Sequence, residues 1–200
     1  MIELRHVYKS FKNNPVLEDV NGMFEPGIVY CLTGRNGSGK SVLMKLICEL
    51  LLPDQGEILL PEEHRFGIII DNPRLWPDMT GIETLQYLAS VRHEIDNDVI
   101  NEYLKYMLLW KARNKKVGSY SLGMKQKLAI AQAFMEDPDI LLLDEPSNAL
   151  DDQAVQLLNQ LIVSERDRGK YIILATHNIE DFQAITDQYV YIQDKQAVFG

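Results

Sequence analysis

The sequence is poor in cysteine and contains no long apolar run. Its two cysteines, Cys31 and Cys48, each lie inside an apolar segment of the 200-residue chain. We interpret both as small core residues and not as a disulfide or a metal pair, which excludes a disulfide-rich secreted scaffold. No apolar run approaches the ~18–20 residues that a membrane span needs, and no N-terminal signal peptide is visible. The sequence therefore predicts a chain that does not cross a membrane by itself, in a reducing compartment.

Basic charge is also scarce. The formal net charge is −9 at pH 7, whereas proteins that bind nucleic acid usually carry a basic patch. The densest basic stretch, residues 111–116, is better interpreted as a solvated loop between helices. We therefore expect no nucleic-acid partner.

The apolar pattern predicts one α/β domain. A hydrophobic content of 46% over 200 residues is enough for a single core. Predicted strands cover residues 2–7, 16–24, 28–32, 57–60, 65–70, 140–143, 171–175, 189–192 and 197–199. Predicted helices cover residues 42–52, 151–165 and 178–185, with further helices between 73 and 135. The layout predicts a core formed by residues 1–71 and 136–200, with an inserted helical subdomain at 72–135.

Two helix starts in the predicted insertion have local signals. Thr80 and Glu83 have the spacing of a capping box. Ser121 is placed to cap a further helix through Phe134.

A phosphate-binding loop is the strongest motif in the chain. It has the form G-x-x-x-x-G-K-S and consists of Gly34, Arg35, Asn36, Gly37, Ser38, Gly39, Lys40 and Ser41. A predicted strand precedes it and a helix beginning near Val42 follows, which is the context that the motif requires. Lys40 can reach the β- and γ-phosphates of a nucleotide, and the hydroxyl of Ser41 can bind Mg²⁺. The alternative is a chance glycine turn.

Two carboxylates follow the predicted strand at 140–143. Such a strand delivers its C-terminal residues to the crevice where ligands bind, so Asp144 is placed to bind Mg²⁺ on the nucleotide. Glu145 is then placed to orient or deprotonate an attacking water. The alternative is a strand end with ordinary surface acids.

Residues 120–124, Tyr-Ser-Leu-Gly-Met, open the helix directly before that strand. Here the chain resembles the nucleotide-binding subunits of ABC transporters, whose signature motif is L-S-G-G-Q. The leucine, the first glycine and the glutamine are replaced, whereas Ser121 and Gly123 remain. This variant is similar to the branch that includes bacitracin and lantibiotic exporters. The resemblance covers essentially the whole chain and implies a P-loop NTPase core with a RecA-like mixed sheet, flanking helices and an antiparallel β portion.

The resemblance also assigns roles to further residues. Residues 147–151 resemble the D-loop at the subunit interface, and His177 resembles the switch histidine that contacts the γ-phosphate. Phe11 resembles the aromatic residue that stacks on adenine, with Tyr8 as a competing candidate. Together with Val42, the loop 34–41 and the pair Ser121 and Gly123, Phe11 completes the expected ATP-binding set.

Asp71 stands where the family has a glutamine. A carboxylate binds Mg²⁺ more strongly than an amide but repels a phosphate when the metal is absent. We therefore expect Asp71 to be a metal ligand, with Ser41 and Asp144, and to make ATP binding more strictly dependent on Mg²⁺.

The resemblance implies an ATPase that works as a pair. The loop 34–41 of one subunit faces Ser121 and Gly123 of a second copy or of a related ATPase, with ATP between them. The expected location is cytoplasmic, at the inner face of the membrane, through separate transmembrane permease chains that contact a groove near residues 73–77. Export is favoured over import by the signature variant. One alternative is a soluble ABC ATPase. The other is a nucleotide-binding regulator with little turnover, and the presence of Glu145 and His177 argues against this regulator.

Overall fold

The computed structural model describes residues 1–12, 14–71, 75–92 and 95–200, which form two β-sheets flanked by helices. The smaller sheet is antiparallel, with strand order β2-β1-β4. Its strands are β1 (Ile2–Phe11), β2 (Asn14–Phe24) and β4 (Gln55–Leu59). This sheet is the predicted antiparallel portion.

The larger sheet has six strands in the order β5-β6-β7-β3-β8-β9. They are β3 (Val29–Thr33), β5 (Phe66–Ile69), β6 (Ile140–Asp144), β7 (Tyr171–Ala175), β8 (Gln188–Gln193) and β9 (Gln196–Phe199). Neighbours pair in parallel except for β8 and β9, which are antiparallel. The α/β class predicted from the sequence is confirmed.

The α-helices of the described chain are α1 (Lys40–Ile47), α2 (Gly81–Ala89), α3 (Asn97–Tyr106), α4 (Leu122–Phe134) and α5 (Asp152–Asp167). The capping box of Thr80 and Glu83 is present, and Ser121 accepts a hydrogen bond from the N–H of Met124 at the start of α4. Both predicted caps are therefore confirmed. No helix within the described ranges is long and apolar enough to cross a membrane.

The larger sheet separates two apolar clusters. Ile140 and Leu142 of β6 face a cluster built mainly from the antiparallel sheet and α1. Leu141 and Leu143 face the other cluster, which contains the apolar residues of α2 to α5. Because alternate residues of a strand point to opposite faces, an uninterrupted apolar run such as 140–143 requires cover on both sides.

The parallel strands bring the functional segments to one edge. Ile69 is paired with Leu143, and Asp144 and Leu32 are both paired with Ala175. The residues that follow β3, β5, β6 and β7 therefore leave the sheet at the same end. These residues begin the phosphate loop and include Asp71, Glu145 and His177.

Two predicted helices differ from the helices of the structure. The helix predicted to end near 52 ends at Ile47, because Glu49 takes a left-handed conformation with φ of 60°. The helix predicted over 178–185 was wrong. The segment contains one 3-10 turn, Ile179–Asp181, after which the N–H groups of Ile185 and Thr186 both donate to the carbonyl of Phe182.

Candidate active site

The start of α1 is built to leave backbone N–H groups for a ligand. Among the described α-helices, α2 to α5 are capped by the side chains of Thr80, Asp96, Ser121 and Asp151, whereas α1 has no side-chain cap. Gly39, at the cap position of α1, has a φ of 111°. Uncapped N–H groups and the helix dipole together favour an anion such as phosphate.

The loop before α1 is closed by its own lysine. Lys40 is buried, and its Nζ donates to the carbonyl oxygens of Gly34 at 2.9 Å and Arg35 at 3.3 Å. Gly34 has a φ of 148°, and a Cβ there would lie 2.4 Å from the carbonyl oxygen of Ile192. The hydroxyl of Ser38 is buried and finds no partner among the described residues. This orphaned hydroxyl and the ammonium group of Lys40 fit a phosphate ligand.

Ser41 and Asp144 are in direct contact. The hydroxyl of Ser41 donates to Oδ2 of Asp144 at 2.5 Å, and the carboxylate is 8% exposed. Burial, together with the charges of Glu145 and Asp71, raises the pKa of Asp144 against the effects of Ser41 and Lys40. The hydroxyl of Ser41 and the carboxylate of Asp144 offer two adjacent oxygen ligands, which fits a divalent cation such as Mg²⁺.

We expect Asp144→Asn to raise the melting temperature of the nucleotide-free protein. Because the folded-state pKa of Asp144 is raised, its ionised form destabilises the fold above the pKa of the unfolded chain, about 3.9. Asparagine keeps the acceptor for Ser41 and removes the charge. In a protein of this size, each kcal/mol of stability corresponds to about 2–4 °C.

Thermal unfolding at two pH values checks this expectation. The gain should be present at pH 7 and should shrink towards pH ~4, where Asp144 of the wild type also becomes protonated. The highly exposed Asp78 provides the matched control, and Asp78→Asn should change little. A variant of Asp144 that melts at or below the wild-type temperature at pH 7 would contradict the argument.

Glu145 and His177 form the second contact pair at this edge. Nδ1 of His177 lies 2.7 Å from Oε2 of Glu145, and the same oxygen accepts from the hydroxyl of Thr176 at 3.3 Å. The backbone of Glu145 has a φ of 49°, and its N–H donates to the carbonyl of Ala175. A strained backbone held in this way fixes the direction of the carboxylate.

The acidic residues at this sheet edge line one cavity of about 160 Å³. It is lined by Asp71, Gln126, Asp144, Glu145 and Asn148. Asn148 lies in the segment 147–151 that resembles the D-loop, whereas no role was predicted for Gln126. Within the described ranges, no group of three or more His, Cys, Asp or Glu residues is arranged to hold a metal by itself.

Asp71 also lies at this cavity, where its carboxylate forms an ion pair. Its Oδ2 lies 2.8 Å from Nζ of Lys45, a residue of α1. Asp71 also has a left-handed backbone, with φ of 60°. The structure therefore places Asp71 at the same sheet edge as Asp144 and Glu145, and pairs it with a cation that the sequence did not indicate.

A hydrogen bond and an ion pair link the first half of α4 to residues 145–151. Gln126 donates to the carbonyl of Pro146 at 2.9 Å, and Lys127 pairs with Asp151 at 2.9 Å. A Cβ on Gly123 would lie 2.4 Å from the carbonyl oxygen of Ala149, so this position requires glycine. Ser121 and Gly123 line neither the acidic cavity nor a second cavity of about 480 Å³ beside Gly34–Ser38.

The aromatic candidate Phe11 lies at the end of the β1–β2 hairpin and is 43% exposed. The neighbouring Lys9 and Ser10 both bond to the carboxylate of Asp54, at 2.8 and 2.6 Å. Tyr8 interacts instead with Asp19, farther along the hairpin. Nζ of Lys9 lies over the ring of Phe11, 5.6 Å from its centroid, and Phe11 lines neither cavity.

The cysteines are core residues, as predicted. Both are free and buried, and burial, with the charge of Glu145, raises the pKa of Cys31 to about 11. The thiol is therefore protonated and unreactive at neutral pH.

Comparison with known proteins identifies the family. Residues 17–148 match the family model described as ABC transporter. An uncharacterised ABC transporter ATP-binding protein of Bacillus subtilis (strain 168) is 37% identical over 197 residues, covering 94% of this chain and 90% of the relative. The bacitracin transport ATP-binding protein of Enterococcus faecalis is 31% identical over 198 residues, covering 94% of this chain but 64% of that protein.

A solved structure shares the fold along almost the whole chain. It is a dimeric post-hydrolysis state of an ATP-binding cassette bound to ADP and Pi, with 25% identity and a TM-score of 0.90. The match covers 98% of this chain and 96% of that one. The chain therefore belongs to the ABC transporter family, as an ATP-binding subunit whose ATPase activity energises transport.

Proposed function

We propose that this ATPase binds ATP with Mg²⁺ between two copies of the chain and drives a membrane exporter through ATP-dependent closure of that pair. The observation that carries the proposal is the convergence of four segments at one sheet edge: the phosphate loop, Asp71, the pair Asp144–Glu145, and His177. Such an edge is where open α/β sheets bind ligands.

The residues divide into binding and chemical roles. Residues 34–42 hold the phosphates, with Lys40 as the charged donor, and Phe11 stacks on the adenine. Ser41, Asp144 and Asp71 hold Mg²⁺, which when bound neutralises charge on the phosphates.

Glu145 is the general base in this proposal. Its carboxylate accepts the proton of the attacking water, and His177, already within hydrogen-bond distance, fixes the direction of that carboxylate. The ring of His177 is 56% exposed, so its other nitrogen can reach a γ-phosphate. Glu145 and His177 together position the water for attack on the γ-phosphate.

A second copy completes the site. Ser121 and Gly123 are not among the residues that line the cavity beside the phosphate loop of their own chain, and the dimeric form of the solved relative supports pairing. In the proposed pair, the start of α4 adds N–H groups and the helix dipole to the γ-phosphate held by the partner. Two-fold symmetry makes both sites equivalent. Closure then depends on ATP because ADP lacks the γ-phosphate that the two chains share.

A membrane partner is proposed from one exposed aromatic pair. The rings of Trp76 and Tyr87 are in edge contact with centroids 5.1 Å apart, and both remain 42% or more exposed. Apolar groups that stay in water on the inserted subdomain 72–135 suit contact with a permease. Pro73, also expected at this groove, lies outside the described residues. Export is supported by a relative from Burkholderia lata, a Nod factor export ATP-binding protein.

Affinity purification of the tagged chain from detergent-solubilised membranes of its own source tests the partner. We expect recovery of a protein with several membrane spans, and loss of that protein with Trp76→Asp, because a charge at the patch opposes apolar contact. The matched control is Met23→Asp on the antiparallel sheet, where the side chain is similarly exposed. Equal recovery with both variants would reject this docking surface, and recovery of nucleic acid in place of a membrane protein would reject the transport role.

A further inference from the structure

The side chain of Lys45 forms an ion pair with the carboxylate of Asp71. Its Nζ lies 2.8 Å from Oδ2 of Asp71, and it is 28% exposed, whereas Asp71 is 64% exposed. Lys45 belongs to α1 and Asp71 follows β5, so the ion pair joins two elements. Neither residue belongs to the phosphate-loop motif, and no role was predicted for Lys45 from the sequence.

The Lys45–Asp71 ion pair resembles the contact between Ser41 and Asp144, and it lies one turn farther along α1. Ser41 and Lys45 are four residues apart and therefore lie on one face of α1. Ser41 donates to Asp144 after β6, and Lys45 pairs with Asp71 after the neighbouring strand β5. The same helix face thus holds both carboxylates.

The local charge balance shows why Asp71 needs a partner. Asp71, Asp144 and Glu145 all line one cavity of about 160 Å³, and the charge of Asp71 is felt at Asp144. A triphosphate brings further negative charge to the same place. Lys40 faces the loop carbonyls, and its charge acts on Asp144. Lys45 is the cation in contact with Asp71 in the described chain.

We propose that Lys45 is a positioning residue that holds the Asp71 carboxylate at the acidic cavity and offsets its charge, so that ATP can bind beside an acid. The inference rests on the proposed function, because it assumes that the triphosphate occupies this edge. It predicts that Lys45 is needed only while residue 71 is an acid. A neutral glutamine at position 71 has no charge to offset, and Lys45 should then be dispensable.

A double-mutant cycle of ATP binding tests the coupling. Dissociation constants for ATP and ADP are measured by calorimetric titration for the wild type, Lys45→Met, Asp71→Gln and the double variant, each with Mg²⁺ and with EDTA. We expect Lys45→Met to weaken ATP binding about tenfold with Asp71 present, and less than about twofold with glutamine there. The coupling should be larger in EDTA, since Mg²⁺ also offsets the carboxylate.

Matched controls separate this role from general charge or folding effects. Lys111→Met removes one lysine charge at an exposed position elsewhere and should leave affinity unchanged, whereas Lys45→Arg should retain most of the wild-type affinity. If the methionine variant does not fold, the same cycle is run with Lys45→Gln. An equal loss in both backgrounds, or no loss in either, would overturn the inference while leaving the proposed function standing. Failure of the wild type itself to bind ATP would overturn both.

Discussion

Glu145→Gln is expected to lower kcat of ATP hydrolysis by about 10²–10⁴-fold while leaving the dissociation constant for ATP nearly unchanged. The amide keeps the size of the side chain and an oxygen that can accept from His177, which contacts the carboxylate at 2.7 Å. It does not accept a proton from water. Glu145 does not line the cavity beside Gly34–Ser38, so binding should survive.

Steady-state phosphate release, together with equilibrium titration of ATP, separates the two effects. Glu165→Gln is not a suitable control, because Glu165 is buried and paired with Arg168. The exposed Glu57 on β4 is better, and Glu57→Gln should retain turnover. If the wild type released phosphate no faster than Glu145→Gln, the chain would be a nucleotide-binding regulator and not an ATPase.

Lys40→Met is expected to weaken ATP binding by about 10²-fold, the second of the two largest effects. The ammonium group is buried and donates to two loop carbonyls, so its removal takes away both the charge opposite the phosphates and the bonds that close the loop. Hydrogen bonds to charged groups are worth about 1.5–3 kcal/mol each. Methionine preserves the unbranched stem.

The same titration checks this loss, with ATP and with adenosine. Adenosine lacks phosphates, so its weak binding should be equal in the variant and the wild type. Circular dichroism melting confirms that the variant is folded. An ATP affinity within about threefold of wild type would show that Lys40 does not contact the phosphates.

The sequence predicted those parts of the site that depend on local spacing. The phosphate loop, the Thr80–Glu83 capping box and the Ser121 cap are each set by residues within one or two turns of each other, and the last two are confirmed in detail. The apolar run 140–143 predicted a buried strand because such a run requires cover on both faces. Motifs of this kind predict local structure, because all the residues that form them are close together in the sequence.

The sequence did not predict contacts that depend on how distant elements pack. Lys45 and Asp71 meet only because β5 lies beside β6, and Gln126 reaches the acidic cavity only because α4 packs on residues 145–151. The helix expected at 178–185 was wrong for a related reason. Its apolar spacing resembles a helix, but buried Phe182 ends the turn against the core.

The central claim is that a second copy of the chain completes the ATP site, and the mass of Glu145→Gln in solution tests it most directly. Slow hydrolysis in this variant should allow the closed pair to accumulate. With ATP and Mg²⁺, size-exclusion chromatography with light scattering should give twice the 22.9 kDa of one chain, and with ADP or no nucleotide the mass of a single chain. A single-chain mass at saturating ATP, with nucleotide bound to every chain, would contradict the claim.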